Sequence, residues 1–425
     1  MVPHLTTALT GPLLHLEKHI LEATPVIEHW FRQQWVQHNT PFYTSVDLRN
    51  AGFKLAPVDT NLFPAGFNNL NPVFHPLCVQ AVMVAIEKIC PDSRQFLLVP
   101  ENHTRNLFYL ENVLTLKNIL QQAGLRVRIG SLIPDLKESM TIALPSGGEV
   151  TLEPVVRKGT RLGVAGFDPC AILLNNDLSG GLPDLLRGLS QPVVPALKAG
   201  WSTRRKSQHF QAYDQVVQAF SQHIGIDPWL INPVHGQCQS IDFTTGEGMD
   251  CLTHEVEVVL QNITQAYKER NIDAEPFAIV KADAGTYGMG IMTVKSPKDV
   301  LVLNRKQRNK MSVIKEGQTV QQVLIQEGVY TFETWEGAVA EPVVYMMDHF
   351  VVGGFYRVHT NRGIDENLNA PGARFEALDF ETEAITPHQE QAPSTPPNRF
   401  YTYGVVARLA LLAAAQEIDQ MPDIE

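Results

Sequence analysis

Residues 277–294 read FAIVKADAGTYGMGIMTV, and they hold the most informative pattern in the chain. Two apolar runs flank a segment that contains Gly285, Gly288 and Gly290, and Lys281 closes the first run. Glycine admits positive φ and lets backbone N–H groups approach phosphate oxygens, while a lysine adds a positive charge. Because the segment joins two strands and opens no helix, it is neither a P-loop nor a Rossmann turn. The pattern predicts a phosphate-binding loop; the alternative is a flexible hairpin with incidental glycines.

A nearby strand supports this interpretation. Residues 324–329 read LIQEGV, which places Gln326 and Glu327 in the middle of an apolar run. A buried strand can bind adenine through its backbone, and a carboxylate can accept a hydrogen bond from the exocyclic amine. The alternative is an exposed pair on an edge strand, which is the stronger interpretation of these two residues taken alone.

An early segment predicts metal ligands. Residues 45–70 read SVDLRNAGFKLAPVDTNLFPAGFNNL. Asp59 and Asn61 are two positions apart on a predicted strand and therefore share one face, and Asp47 lies on the partner strand. Such oxygen ligands suit Mg²⁺, which is held by one or two protein groups together with substrate phosphates. The loop at 63–66 could hold a substrate through its N–H groups; the alternative is a polar hairpin with turn-forming Asp and Asn.

Residues 341–375 predict another hairpin, with its turn near Asp348. It delivers Arg357, whose planar fork suits a carboxylate or a transferring phosphoryl group. A loop with Asn367 and Asn369 follows. The alternative for Arg357 is a salt bridge across the sheet.

A basic cluster precedes a predicted helix at 206–224. The segment 199–210, AGWSTRRKSQHF, contains Trp201 and Arg204. Basic groups at a helix N-terminus predict an anion site. A solvated basic face is an equal alternative.

The remaining pattern predicts a mixed α/β and α+β fold. Short strands alternate with a helix between 95 and 190, which is typical of a Rossmann-like parallel sheet. The strand in 171–181, AILLNNDLSGG, leads into a polar loop, where open α/β sheets place ligands. Later strands are hairpin-linked, with a helix near 317–323. A proline-rich loop at 381–399 is a lid candidate, and a buried helix ends the chain.

Three parts are expected from this order. They are N-terminal helices with the metal hairpin (1–92), an α/β substrate-binding domain (93–225) and a nucleotide-binding region (226–425).

Composition narrows the class of protein. The chain has 425 residues and a formal net charge of −11, which disfavours nucleic acid as a partner. Its five cysteines include no C-x-x-C pair, so neither a disulfide framework nor a structural zinc site is expected. We expect a cytoplasmic enzyme without signal peptide or membrane span, and a homo-oligomer is possible.

The motifs K-A-D-A-G-T-Y-G-M-G-I, I-Q-E-G-V, G-G-F-Y-R-V and N-L-N-A-P-G, in that order, resemble the ATP-grasp superfamily. In that superfamily the metal-binding residues come last, whereas here D-T-N with F-P-A-G comes early. This order resembles the circularly permuted glutathione synthetases of eukaryotic type. Asp59 replaces their glutamate, and Asp283 would supply a remaining carboxylate.

Across nearly its whole length the chain resembles the proteobacterial glutamate–cysteine ligase family of ATP-grasp type. VDLRNAGFKLAPVDTNLFPAGFNNLNP and GGFYRVHTNRGIDENLNAPGARFEAL carry much of the match. The resemblance implies ligation of L-glutamate, through its side-chain carboxylate, to L-cysteine with ATP and Mg²⁺, in glutathione synthesis. Glutathione synthetase, another amino-acid ligase and a non-catalytic nucleotide-binding module are the alternatives.

The expected site has four groups of residues. Arg357 and Lys281 are the catalytic candidates. The ATP-binding candidates are Lys281, Gly285, Thr286, Tyr287, Gly288, Gly290, Gln326, Glu327, Asn367 and Asn369. The metal candidates are Asp47, Asp59, Asn61 and Asp283. The substrate candidates are Arg49, Pro64, Ala65, Gly66, Trp201 and Arg204.

Overall fold

The structure is a computed structural model that describes residues 12–92, 94–285, 290–313, 317, 319–378 and 399–424. The α-helices of these residues are α1 (Pro12–Glu22), α2 (Thr24–Gln37), α3 (His75–Ile89), α4 (Leu107–Gln122), α5 (Lys206–Ile224), α6 (Met249–Glu269), α7 (Pro297–Leu301), α8 (Arg305–Ser312) and α9 (Arg399–Gln420). The strands are β1 (Tyr43–Asn50), β2 (Leu55–Asn61), β3 (Gln95–Pro100), β4 (Arg126–Ser131), β5 (Met140–Ala143), β6 (Glu149–Lys158), β7 (Arg161–Val164), β8 (Ala171–Asn175), β9 (Val193–Val194), β10 (His235–Cys238), β11 (Ala278–Ala282), β12 (Ile291–Val294), β13 (Val323–Glu327), β14 (Thr334–Trp335), β15 (Ala338–Met347), β16 (Phe350–His359) and β17 (Arg374–Ala377).

The early hairpin and the late hairpin form one antiparallel sheet. Its strand order is β17-β16-β15-β1-β2, and β14 pairs with β15. Both predicted hairpins are therefore confirmed, including the turn at Asp348, whose φ is +49°. The pairing of β1 with β15 brings the Asp47 region beside the strand that leads to Arg357.

The glycine-rich segment belongs to a second antiparallel sheet, ordered β10-β13-β11-β12. Helix α6 packs on this sheet through Leu252, Val256, Val259 and Ile263. The predicted strand pair on either side of the glycines is confirmed, because β11 pairs with β12 from Ala278 to Lys281.

The third sheet contains the predicted βαβ unit. β3 pairs in parallel with β4 on one side and with β8 on the other, and α4 connects β3 to β4. Successive strands are therefore added to the sheet first on one side of β3 and later on the other side. Where the strand order reverses in this way, the loops at the carboxyl ends of β3 and β8 diverge and leave a crevice.

The last helix is a core element, as the sequence predicts. Residues 400–415 of α9 are all buried, and the helix packs against α5, β1 and β2. Burying the helix on all sides explains its run of Ala, Leu and Val.

The predicted helix near 317–323 is wrong. Gly317 has φ +70°, and the backbone of residues 321 and 322 bonds to Ile241 and Asp283 of neighbouring segments. The helices lie earlier, at α7 and α8, and both begin with a capping box in which an N-cap side chain and the third helical residue bond reciprocally. The loop predicted at 381–399 lies outside the described residues up to 398.

Two other expectations concern the domain boundaries and the absence of a membrane-spanning segment. The boundaries near 92 and 225 stay a prediction, although α5 packs with α9 of the last part. Within the described residues, one segment, Pro72–Ile89, is long and apolar enough to cross a membrane. Six residues of that segment pack into the core, and core helices of soluble proteins meet the same criteria.

Candidate active site

Two cavities share a border in the middle of the fold. The first, of about 720 Å³, lies between the sheet of β11 and β13 and the hairpin of β1 and β2. The second, of about 1120 Å³, lies between the first antiparallel sheet and the carboxyl ends of β3 and β8. Asp47, Asp59 and Asn369 line both cavities. A group bound at this border would contact the contents of both.

Lys281 lines the first cavity together with Gly285. Its Nζ donates to the carbonyl of Val58 and to Oε1 of Gln326, both at 2.6 Å. Burial lowers the pKa of Lys281 to about 8, while Asp59 acts in the opposite direction. Gly290 lines a neighbouring outer cavity instead. The predicted phosphate contacts of Thr286, Tyr287 and Gly288 lie outside the described residues.

Gln326 and Glu327 are interior residues, each 1% exposed, on the inner strand β13. The alternative of an exposed pair on an edge strand is therefore wrong. Glu327 Oε2 accepts hydrogen bonds from Lys54 Nζ at 2.5 Å and from the N–H of Val234 at 2.9 Å. Among the described residues, Oε1 of Glu327 and Nε2 of Gln326 are buried without a hydrogen-bond partner. One unmet acceptor and one unmet donor thus belong to residues that line the first cavity.

Asp47 and Asp59 face each other as register partners across β1 and β2. Lys206 Nζ donates to Asp59 Oδ1 at 2.6 Å. Burial alone would raise the pKa of Asp59, but Lys206 and Lys281 outweigh it and lower the pKa to about 2. Asn61 lines only the second cavity, and its Oδ1 accepts the N–H of Phe63.

A row of four charges runs from the partly buried Asp47 through buried Arg357 and Glu341 to buried Arg49. Arg357 Nη1 donates to Asp47 Oδ2 at 2.8 Å and to Glu341 Oε1 at 2.6 Å, and Arg49 Nε donates to Glu341 Oε2 at 2.9 Å. Burial acts to raise the pKa of Glu341, but the two arginines lower it overall. Burial raises the pKa of Asp47, against the effect of Arg357. The cross-sheet salt bridge considered for Arg357 therefore exists, and Arg357 lines the second cavity as well.

Arg49 is less available than predicted. It lines the first cavity, but its guanidinium also donates to the carbonyls of Val329 and Glu366. These hydrogen bonds fix the Arg49 guanidinium beside the carboxylate of Glu341. Asn367 and Asn369 form a local turn in which Asn367 Oδ1 accepts the N–H of Asn369 at 3.0 Å, and both line the first cavity.

In the loop Pro64-Ala65-Gly66, the N–H of Gly66 is already engaged within the protein. The N–H groups of Gly66 and Phe67 both donate to Oδ1 of Asn112, at 2.9 and 3.0 Å. The carbonyls of Pro64 and Ala65 accept from Asn175 and Tyr345. Ala65 and Gly66 still line the second cavity. Because α4 supplies the acceptor for Gly66, that N–H counts against the predicted backbone anion site, and the substrate role of the loop stays a prediction.

Three predicted ligands have other partners. Asp283 lines neither cavity, because its two carboxylate oxygens accept from the backbone and hydroxyl of Ser207 at the start of α5. Arg204 is 1% exposed and donates to both oxygens of Glu417, and the Trp201 ring packs beside it. These contacts count against the metal role of Asp283 and the substrate roles of Arg204 and Trp201, which stay predictions.

Several residues that line the two cavities were not predicted from the sequence. Glu341 stands alone among apolar residues of β15, and Lys206 was grouped only with a basic cluster. Glu101, Asn175 and Asp177 line the second cavity at the ends of β3 and β8. The signal for these three was present, since the polar loop after β8 predicts a ligand site at that edge.

Comparisons with known proteins agree over most of the chain. A family model described as GshA, glutamate–cysteine ligase, matches residues 17–418. A crystal structure at 1.90 Å resolution, described as a gamma-glutamylcysteine synthetase from Methylobacillus flagellatus KT, has 65% sequence identity and a TM-score of 0.91, and the match covers 99% of each chain. No curated protein matches the chain.

Two more solved structures are remote. D-alanyl-alanine synthetase A from Vibrio cholerae is 11% identical with a TM-score of 0.35, over 75% of this chain and 81% of that one. A glutathione synthetase-like effector from Globodera pallida is 9% identical with a TM-score of 0.35, over 85% and 80%. Scores of this size do not establish a shared fold.

Proposed function

Since the chain belongs to the glutamate–cysteine ligase family, we propose that its two cavities divide the reaction, with ATP in the first and the amino acids in the second. The enzyme joins L-glutamate to L-cysteine at the expense of ATP and gives gamma-glutamylcysteine. The observation that carries the assignment is the shared border at Asp47, Asp59 and Asn369. A phosphoryl group must pass from ATP to a carboxylate, and the border is where the two cavities meet.

The first cavity suits adenine and phosphates. Among the residues that the structure describes, Nε2 of Gln326 is a donor without a partner and Oε1 of Glu327 an acceptor without one, which matches the ring nitrogen and exocyclic amine of adenine. Ile279, Ile291 and Val329 supply apolar surface for the ring. Lys281 and Lys206 line the same cavity and would neutralise phosphate charge.

The residues at the border fit Mg²⁺ bound jointly with ATP. Asp47 and Asp59 are register partners on adjacent strands, and both line the two cavities at their border. No group of three His, Cys, Asp or Glu side chains suited to a metal occurs in the described part of the chain. Two carboxylates completed by phosphate oxygens are typical of Mg²⁺ sites. A bound Mg²⁺ would neutralise charge on the phosphates, with Asp59 and Asp47 as its protein ligands.

The side-chain carboxylate of glutamate attacks the γ-phosphate of ATP, which releases ADP and forms an acyl phosphate. The amine of cysteine then attacks the acyl carbon, releases phosphate and loses a proton. The protein contributes position and charge in both steps. Arg357 would hold the transferring phosphoryl group or the carboxylate that receives it. Its Nε is buried and has no hydrogen-bond partner among the described residues.

We further propose that the fold is a circularly permuted ATP-grasp fold. Support comes from the pairing of β1 with β15, which brings the early Asp59 segment to the sheet that follows the nucleotide-binding strands. A glutathione synthetase would use glycine as its acceptor, and the family match favours cysteine.

Replacing Asp59 with asparagine tests the border. We expect Asp59→Asn to lower kcat by about 10²–10³-fold, the range for losing one preorganised charge contact, and to weaken Mg²⁺-dependent ATP binding. Initial rates of ADP release over a Mg²⁺ titration, with calorimetry of ATP binding, measure both effects. Asp283→Asn is the matched control, because it lines neither cavity. Unchanged Mg²⁺ dependence in Asp59→Asn would contradict the assignment.

A further inference from the structure

The carboxylate of Asp59 already has a cation of the protein beside it. Lys206 Nζ donates to Asp59 Oδ1 at 2.6 Å, and both residues line the first cavity. The side chain of Lys206 is 8% exposed and that of Asp59 is 35% exposed. An ion pair with so little exposure on its lysine side is screened less by water than a pair on the open surface. A carboxylate proposed to bind Mg²⁺ is therefore neutralised by a neighbouring side chain.

The main chain of Lys206 is anchored to the nucleotide-binding sheet. Lys206 is the first residue of α5, and its N–H donates to the carbonyl of Asp283, which directly follows β11. The N–H and the hydroxyl of Ser207 both bond to the carboxylate of the same aspartate. Lysine carries its ammonium group on a flexible four-carbon stem. The ammonium group can therefore change partners within the cavity while the main chain of α5 stays in place.

The second carboxylate at the border has a more firmly held cation. Arg357 Nη1 donates to Asp47 and also to Glu341, so two carboxylates hold this guanidinium. Among the carboxylates that the structure describes, Lys206 forms an ion pair with Asp59 alone. A ligand that draws the lysine away breaks one ion pair, whereas displacing the arginine breaks two. Lys206 is therefore the cation of the border that an incoming ligand displaces more easily.

We propose that Lys206 is the resident counter-ion of Asp59, which Mg²⁺ must replace, and that the triphosphate of ATP allows the exchange by accepting the displaced ammonium group. This inference rests on the proposed placing of ATP in the first cavity. A free Mg²⁺ ion meets a carboxylate whose charge is already neutralised, and it gives up its water ligands reluctantly. The triphosphate supplies oxygen ligands for the metal and an acceptor for the ammonium group together. The metal therefore enters the site with the nucleotide.

The exchange keeps each charge of the border paired. Before the nucleotide binds, Lys206 prevents Asp59 from being left as an uncompensated charge at the edge of the interior. After it binds, the metal neutralises Asp59 and the ammonium group neutralises phosphate oxygens. One lysine thus serves both states, and it acts as a positioning residue for the metal as well as a phosphate contact.

Binding of Mn²⁺ without nucleotide tests the proposal, because Mn²⁺ takes the same oxygen ligands and is detected by electron paramagnetic resonance. In Lys206→Met, free Mn²⁺ should bind about 10- to 100-fold more tightly than in the wild type, since the competing cation is gone. Metal-free ATP, measured by calorimetry with a chelator, should bind about 10- to 100-fold more weakly, because a charge-assisted contact is lost. A residue that only supported the fold would not shift the two affinities in opposite directions.

Three further variants complete the experiment. Lys206→Gln serves if thermal unfolding shows that Lys206→Met folds poorly. Adding Asp59→Asn to Lys206→Met should remove the gain in Mn²⁺ affinity, which assigns the gain to this carboxylate. Lys88→Met is the matched control, because Lys88 Nζ bonds to Asp348 at 2.5 Å and lines neither cavity. Its affinity for free Mn²⁺ should equal that of the wild type.

Free Mn²⁺ affinity that is unchanged or lower in both Lys206 variants overturns the proposal. A gain that persists in the double variant, or that also occurs in Lys88→Met, overturns it as well. The wild type would still form gamma-glutamylcysteine from ATP in each of these cases, so the proposed function would stand.

Discussion

Lys281→Ala should reduce ATP-dependent turnover by about 10²–10⁴-fold, because a preorganised charge in a buried phosphate site contributes several kcal/mol. Lys281 is 7% exposed and lines the first cavity with Asp59. Its loss would leave the phosphates with Lys206 as the remaining lysine of that cavity. Release of ADP and formation of gamma-glutamylcysteine measure the effect. Lys295→Ala is the control, since Lys295 is 43% exposed and pairs with Glu275.

The same lysine gives a dependence on pH. Because its pKa is lowered to about 8, the ammonium form predominates below this value and is lost above it. The kcat/KM for ATP should therefore fall as the pH rises through about 8. Lys281→Arg should be flat over this range, since arginine stays charged. Normal turnover in Lys281→Ala, or a falling profile in Lys281→Arg, would show that Lys281 is not the phosphate ligand.

Arg357→Ala should both inactivate and destabilise the enzyme. It leaves the buried carboxylate of Glu341 and the partly buried carboxylate of Asp47 without the guanidinium that bonds to each. Breaking a buried ion pair costs about 3–5 kcal/mol of the free energy of unfolding. Activity should fall by about 10³-fold, because the charge at the border is lost as well. Denaturant unfolding and single-turnover formation of ADP measure the two effects.

A second substitution separates stability from catalysis. Adding Asp47→Asn to Arg357→Ala removes one uncompensated charge and leaves the pair of Glu341 with Arg49 intact. The double variant should regain part of the lost stability and none of the activity. Arg374→Ala is the control on the adjacent strand, where an exposed ion pair with Glu336 contributes about 0–1 kcal/mol. Full activity in a folded Arg357→Ala variant would refute the role of Arg357.

Local patterns predicted the parts of this fold that depend on local physics. The glycine segment after Lys281, the hairpin with Asp47 and Asp59, and the β3–α4–β4 unit all follow from short-range periodicity and turn residues. The capping-box patterns that begin at Ser296 and Asn304 are also visible in the sequence, and they indicate the first residues of α7 and α8.

Long-range partners could not be predicted in this way. Arg204 looked like an anion ligand because Glu417, which neutralises it, lies 213 residues away. Asp283 looked like a metal ligand because nothing local indicates that it caps α5. The N–H of Gly66 looked free because its acceptor, Asn112, is on another element. A polar residue has the same local pattern whether its partner is protein or ligand, so none of these contacts could be predicted.

The pairing of β1 with β15 has a consequence for synthesis of the protein on the ribosome. β1 begins at residue 43 and β15 at residue 338. At about 5–20 residues per second, roughly 15–60 s separate the emergence of the two strands. During that interval the edge of β1 that later pairs with β15 is open to other strands. A nascent chain shorter than about 340 residues therefore has no complete border between the cavities. Chains that are released from the ribosome before β15 has been synthesised should aggregate and should have no ligase activity.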